Sequence, residues 1–231
     1  SVDVGYEYVI ITSQELASAF DDFMAWKKRK GIDIGLVTIE EIKNNYNGDP
    51  VSGIYDNAGK LRHYLMDAYD YGLEYALLAG DNTVVPIRYG WRYNDNDDDY
   101  YVIPSDLYFS DFHGDWNVDT DNRYGEPEDN IDAGPEIFVG RLLCSSTNQI
   151  ENWIAKVLKY EQKPGSGDNG YLKKALYTQA DELQRDDKAG YIAGQFSSVY
   201  PSTHHEIWNE KYNGKKDWYS PGTPEFPKAR I

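Results

Sequence analysis

The sequence predicts an α/β fold in three layers, a mostly parallel sheet flanked by helices. Apolar runs of strand length stand at residues 8–12, 33–38 and 75–80. Segments of helical period separate them, and a fourth run at 136–142 follows a long polar excursion. Strand–helix–strand alternation requires crossover connections, and crossovers make parallel pairs. In such sheets function gathers at the carboxyl ends of strands, here Ser13, Thr38 and Asp81.

The elements follow in order. Tyr8-Val9-Ile10-Ile11-Thr12 reads as a short buried strand, after which Ser13 is expected to cap a helix. Leu16, Phe20, Phe23 and Met24 recur at i, i+4, i+7 and i+8 on that helix, and Gly31 stops it. Lys27-Lys28-Arg29-Lys30 suit the negative end of the helix dipole, a better account than a nucleic-acid patch. Asp33 to Thr38 is the second strand and Ile39 to Tyr46 a short helix. A longer helix runs from about Asp56 to Tyr71, with Leu61, Tyr64, Leu65, Ala68 and Tyr69 on its apolar face. Tyr75 to Gly80 is the third strand. After Ile137 to Leu142, Thr147 opens a helix carrying Ile150, Trp153, Ile154, Val157 and Leu158.

Residues 1–163 thus form a first α/β subdomain. Pro164-Gly165-Ser166-Gly167-Asp168-Asn169-Gly170 is the clearest linker, at 164–170. From 171 to 231 the pattern restarts: a strand at Lys174 to Gln179, a helix at about Asp187 to Tyr200, and a strand at His205 to Trp208. Pro224 is expected to open another helix carrying Phe226, Ala229 and Ile231. Two strands cannot close a core, so this second unit reads as truncated.

Composition narrows the function. With 231 residues, 40 % of them hydrophobic and 27 % charged, the chain can bury a substantial core. A net charge of −16 argues against nucleic acid, whose phosphates need a cationic face. The longest apolar runs are strand-sized, so no membrane segment is expected. The single cysteine, Cys144, excludes an internal disulfide. The polar start Ser1-Val2-Asp3-Val4 is no signal peptide; it suits a processed product or an excised piece as well as a cytoplasmic protein.

The acidic stretch at 95–132 carries 13 Asp and Glu against one basic residue, Arg123. Tyr100, Tyr101, Tyr108, Phe109, Phe112, Trp116 and Tyr124 lie among those acids, so the segment packs as well as dissolves. Packing crowds carboxylates together, and a divalent cation relieves the repulsion. Counted from Asp115, the side chains of Asp115, Asn117, Asp119, Asp121 and Glu126 fall at loop positions 1, 3, 5, 7 and 12. That is the register in which a calcium loop wraps its ion. Thr120 stands at the sixth position, where an EF-hand has glycine, so the stretch reads as a calcium-type loop and not an EF-hand. Ca2+ is therefore the expected cofactor. Loops of modest charge work best where calcium is abundant, which points outside the cell, to a secreted or cell-surface protein.

Several segments together resemble a known family. They are Tyr8-Val9-Ile10-Ile11-Thr12-Ser13 with Phe23 to Lys27 and Gly31; Leu77-Leu78-Ala79-Gly80-Asp81 with Val85-Pro86; Ser105-Asp106-Leu107-Tyr108; Pro135 to Arg141; and Lys156 to Glu161. In that order they resemble the gingipain-type cysteine peptidases, over nearly the whole chain. The resemblance implies a caspase-like fold, Rossmann-like in its layering, and peptide or protein substrates. The acidic loop looks like the aspartate-rich insertion of calcium-containing relatives. Family members carry a His-Gly pair and then a cysteine, each after a strand of the second subdomain. The helix expected at Pro224 looks like the one before that histidine strand, so the resemblance implies that this chain stops short of both catalytic residues.

Other candidates compete. His113-Gly114 followed by Cys144 has the order of a cysteine-peptidase base and nucleophile. Yet Tyr108 to Phe112 is no clean buried strand, and a lone cysteine is more often a small buried hydrophobe. His204-His205 point to opposite faces of a strand and make a poor metal pair. Asp81 is expected to cap the turn that follows it. In the family, the region of Asp181, Glu182, Asp186 and Asp187 helps form the substrate pocket. The resulting expectation is the N-terminal portion of a secreted, calcium-stabilised gingipain-like cysteine endopeptidase, inactive alone. The alternative is a non-catalytic, calcium-binding caspase-like scaffold. Glycoside hydrolysis ranks last, because no carboxylate pair stands out.

Overall fold

The computed structural model describes residues 2–94, 98–129, 131–179, 183, 186–210 and 225–226. The chain divides into two compact units, Ser1–Leu158 and Lys159–Ile231.

In the first unit β1 (Tyr8–Thr12), β2 (Ile34–Thr38), β3 (Tyr75–Ala79) and β6 (Phe138–Leu142) form a sheet in the order β2-β1-β3-β6. Every pair is parallel, with Tyr8 opposite both Ile34 and Tyr75, and Tyr75 opposite Phe138. Alternation along each strand sends neighbouring side chains to opposite faces. Val9, Ile11, Ala76 and Leu78 meet Ile39 and Ile42 of α2 (Ile39–Asn45) and Leu61, Tyr64 and Leu65 of α3 (Asn57–Asp70). Ile10, Leu77 and Ala79 meet Phe23 of α1 (Asp21–Arg29) and Ile150 and Ile154 of α4 (Thr147–Gln162). These are the three layers the alternation predicts.

Local chemistry explains most helix starts. Thr38 and Glu41 make a reciprocal capping box at α2, with Glu41 N–H on Thr38 Oγ1 at 3.3 Å and Thr38 N–H on Glu41 Oε2 at 2.9 Å. Asp56 caps α3 by accepting from Gly59 N–H at 2.7 Å. At α1 the expected Ser13 cap is absent: Ser13 lends only its carbonyl, to Leu16 N–H at 3.1 Å. A 3-10 turn at Ala17–Phe20 intervenes and leads directly into α1. The apolar spacing of Leu16, Phe20 and Phe23 survives because burial, not the cap, sets that segment's face.

Two features depart from the expectation. The start of the acidic stretch is not all loop: β4 (Arg88–Asn94) and β5 (Asp99–Ser105) form an antiparallel hairpin, with Trp91 opposite Val102 and Tyr93 opposite Tyr100. In the second unit β7 (Lys174–Gln179) and β8 (His204–Glu210) pair in parallel across α5 (Lys188–Val199). There Glu225–Phe226 is not helical: it forms β9, parallel to β8, with Asn209 opposite Glu225. Strand pairing with β8 outweighs the helix signal expected from Pro224, which lies outside the described residues, as do Ala229 and Ile231. Residues 164–170 hold tight turns, with 3-10 segments at Pro164–Gly167 and Gly170–Lys173.

Candidate metal-binding loop

A buried arginine anchors the acidic loop to the core. Arg62 of α3 is fully buried and pairs with Asp49. It also donates to Ser52 Oγ at 3.0 Å, Asp111 O at 3.0 Å and Gly114 O at 2.7 Å. Asp111 is buried too, and accepts from Gly114 N–H at 2.8 Å and Trp116 Nε1–H at 3.0 Å. Every arm of the guanidinium is therefore satisfied, and residues 111–116 are held against α3. Trp116, almost wholly buried, passes that order to the next turn: its carbonyl accepts from Gly125 N–H at 3.2 Å. Gly125 sits at φ +70°, and a Cβ there would lie 2.7 Å from the Trp116 ring, so only glycine closes this loop.

Inside the closure the backbone repeats one device. Asp115 Oδ1 accepts from Asn117 N–H at 3.0 Å, Asp119 Oδ1 from Asp121 N–H at 3.2 Å, and Asp121 Oδ1 from Arg123 N–H at 2.6 Å. In each such turn a carboxylate accepts the backbone N–H two residues on, which coils the chain locally. Thr120, at the sixth position, adopts φ +61°, the left-handed conformation that glycine supplies in EF-hands. The carboxylates of Asp119, Asp121 and Glu126 gather with ligand atoms within 4.8 Å of one another. Asp115 stands outside that trio.

Two polar atoms mark the cluster as more than a solvated surface. Glu126 is 3 % exposed, and its buried Oε2 has no hydrogen-bond partner among the described residues. Its nearest cation is Arg123 Nη1 at 3.8 Å. Asn117 Oδ1 is likewise buried and unpartnered. Burial raises the Glu126 carboxyl above its ordinary value, and Asp121 and Glu128 add to the rise. A buried, orphaned Glu126 oxygen among crowded carboxylates fits a hard cation with oxygen ligands. Asp129, missed by sequence reasoning, clamps the loop from outside by accepting from Val118 N–H and Gly125 N–H, each at 2.7 Å. A conventional calcium register has no slot for a residue beyond position 12, so no spacing rule pointed to it.

The other candidate residues are dispersed. Cys144 is 2 % exposed and lies with Ile10, Phe23 and Ile150 on one face of the sheet. Phe112, the neighbour of His113, packs on the opposite face. Burial raises the Cys144 thiol, as does Asp81, so the thiolate is disfavoured. His113 is exposed and bonds Glu136 through Nδ1 at 2.7 Å, a contact that favours its protonated form. The two residues make no catalytic pair. Asp81 caps its turn, accepting from Thr83 N–H at 2.9 Å and Thr83 Oγ1–H at 2.6 Å. His205 stacks on Tyr177, and its Nδ1 lies 3.1 Å from the Tyr177 hydroxyl. Asp187 caps α5 through Gly190 N–H at 3.3 Å, and Asp186 lies 3.7 Å from Lys188 Nζ. Asp181 and Glu182 lie outside the described residues.

Comparison with known proteins decides the family. The family model for peptidase family C25 matches residues 2–230. The chain belongs to peptidase family C25. Gingipain R2 of Porphyromonas gingivalis is 22 % identical over 171 residues, covering 73 % of this chain and 18 % of the relative. An uncharacterized protein of Archaeoglobus fulgidus is 24 % identical over 183 residues, covering 73 % of this chain and 38 % of the relative. The chain thus spans well under two thirds of the curated relatives it matches. Among solved structures, a complex of Porphyromonas gingivalis RgpB pro- and mature domains aligns with a TM-score of 0.58 at 19 % identity, over 89 % of this chain and 42 % of that one. A structure described as a protease aligns with a TM-score of 0.55 at 16 % identity, over 95 % of this chain and 48 % of that one. The C25 fold and the cysteine-peptidase kinship follow. Among the described residues no helix is long and apolar enough to cross a membrane.

Proposed function

We propose that this C25 chain is the N-terminal portion of a secreted, gingipain-like cysteine endopeptidase whose cysteine and histidine lie beyond Ile231. The observation that carries the reading is the family match over residues 2–230, on a chain whose one cysteine is buried among apolar side chains. In the whole enzyme a thiolate would attack the peptide carbonyl, and the histidine would protonate the leaving amine. The first unit would lend a rigid parallel sheet.

Calcium would stabilise that unit. Asp119, Asp121 and Glu126 would hold the ion, with the Asn117 carbonyl oxygen as a further donor and Asp115 shaping the first turn. The bound ion would supply positive charge where carboxylates crowd. Asp129 would keep the loop closed by holding the amides of Val118 and Gly125.

The test compares two proteins on a broad fluorogenic peptide library. The 231-residue chain is expected to cleave nothing, and the longer open reading frame to cleave in a thiol-dependent way. Cleavage by the short chain that Cys144→Ala abolishes would overturn the reading. Inactivity of the longer protein would favour a non-catalytic, calcium-binding scaffold.

A further inference from the structure

We infer that His113, Asp132 and Glu136 form a second metal site, built for zinc and not for calcium, at the two ends of the acidic loop. Their donor atoms lie within 4.8 Å of one another, and of the two such groups among the described residues this one contains an imidazole. Imidazole nitrogen suits zinc, whereas calcium selects oxygen alone. Three protein ligands leave a fourth position for water.

The donors are held by surrounding bonds. Glu136 is 11 % exposed; its N–H donates to Ser110 O at 2.8 Å, and its Oε2 accepts from Phe112 N–H. Oε1 is thereby turned to His113 Nδ1, 2.7 Å away. Asp132 Oδ1 accepts from Gly134 N–H at 2.7 Å, which fixes that carboxylate. Supporting contacts of this kind orient first ligands in metal sites. Ligands on one tetrahedral zinc stand about 3.3 Å apart, so the His113–Glu136 contact needs to open only slightly.

Charge and access agree. Asp111, buried beside His113, adds a third carboxylate, while Arg62, which bonds the Asp111 and Gly114 carbonyls, is engaged by Asp49 and Ser52 as well. The His113 side chain is largely exposed, so an ion can reach its ring from solvent. A metal here would staple residues 111–113 to 132–136 and close the loop at its base. The site uses none of the calcium-loop residues and does not depend on the peptidase reading.

The test is calorimetric titration of zinc into the tag-free chain with calcium saturating, with cobalt(II) absorption as a second readout of geometry. One zinc per chain is expected, together with a tetrahedral cobalt spectrum. His113→Gln, at a side chain 71 % exposed, should weaken binding at least about tenfold, and Asp132→Asn similarly. His63→Gln on α3 and His204→Gln on β8 should leave it unchanged. Absence of a stoichiometric zinc would overturn the inference. So would unchanged affinity in His113→Gln, which would assign binding to the other histidines.

Discussion

Arg141 and Asp106 form a two-pronged ion pair, with Nε on Oδ2 at 2.7 Å and Nη2 on Oδ1 at 2.9 Å. The remaining guanidinium hydrogens reach the carbonyls of Gly80 at 2.9 Å, Val85 at 3.0 Å and Pro86 at 2.9 Å. One side chain on β6 therefore joins the end of β3, the turn after it and the segment after β5. Gly80-Asp81, Val85-Pro86, Ser105-Asp106 and Gly140-Arg141 were among the segments that carried the family resemblance. Their common meaning is this junction.

Arg141→Met should cost about 3 kcal/mol in urea unfolding, because three backbone carbonyls and one carboxylate lose charged donors. Arg141→Lys should recover only part of that, since an ammonium cannot reproduce the fork. A loss below 1 kcal/mol for Arg141→Met would reduce the junction to a surface ion pair.

Chelation should lower the melting temperature of the whole chain, and added calcium should restore it. An ion at a hundredfold excess over its dissociation constant stabilises by about 2.7 kcal/mol. Magnesium should restore little, because it demands tighter octahedral geometry. Asp121→Asn and Glu126→Gln should abolish the calcium response, whereas Asp115→Asn should only reduce it. Identical melting curves with and without chelator would show the carboxylates to be merely solvated.

The Cys144 thiol should react slowly with a disulfide reagent in the native chain and rapidly in denaturant. Its burial and raised thiol value both suppress the thiolate. Fast native labelling would place Cys144 at a surface and reopen its pairing with a base.

Asp56 should contribute to acid sensitivity. Burial alone would raise its carboxyl, but the Arg88 pair, at 2.9 and 2.8 Å, outweighs it, and the Gly59 amide helps to hold the group below 3.8. A depressed folded value means stability that is present above the unfolded value and lost as pH falls through the folded one. The stability curve should therefore drop below about pH 4. Asp56→Asn should flatten that part of the drop; an unchanged slope would remove Asp56 from the account.

How much of this was legible in the sequence follows from the range of each interaction. Strand and helix periods repeat within two to four residues, so the positions of β1, β2, β3 and β6 along the chain and the faces of α3 and α4 could be read directly, but not the sheet order β2-β1-β3-β6. So could the alternation of acids from Asp115, because it is a local register. The β4–β5 hairpin escaped that reading: Arg88 to Asn94 has no aliphatic face, and the hairpin is held from outside, by Arg123 over the Trp91 and Tyr100 rings and by Trp91 N–H on Tyr124 O. Strand pairing with β8 likewise decided Glu225–Phe226 against the expected helix. Which carboxylates converge depends on the left-handed turn at Thr120, the Arg62 anchor 49 residues from Asp111, and the Asp129 clamp. The sequence by itself determined the layers and the chemistry available to the loop. Tertiary structure alone decided which oxygens meet and which thiol is buried, because charge and burial act between residues that only the fold brings together.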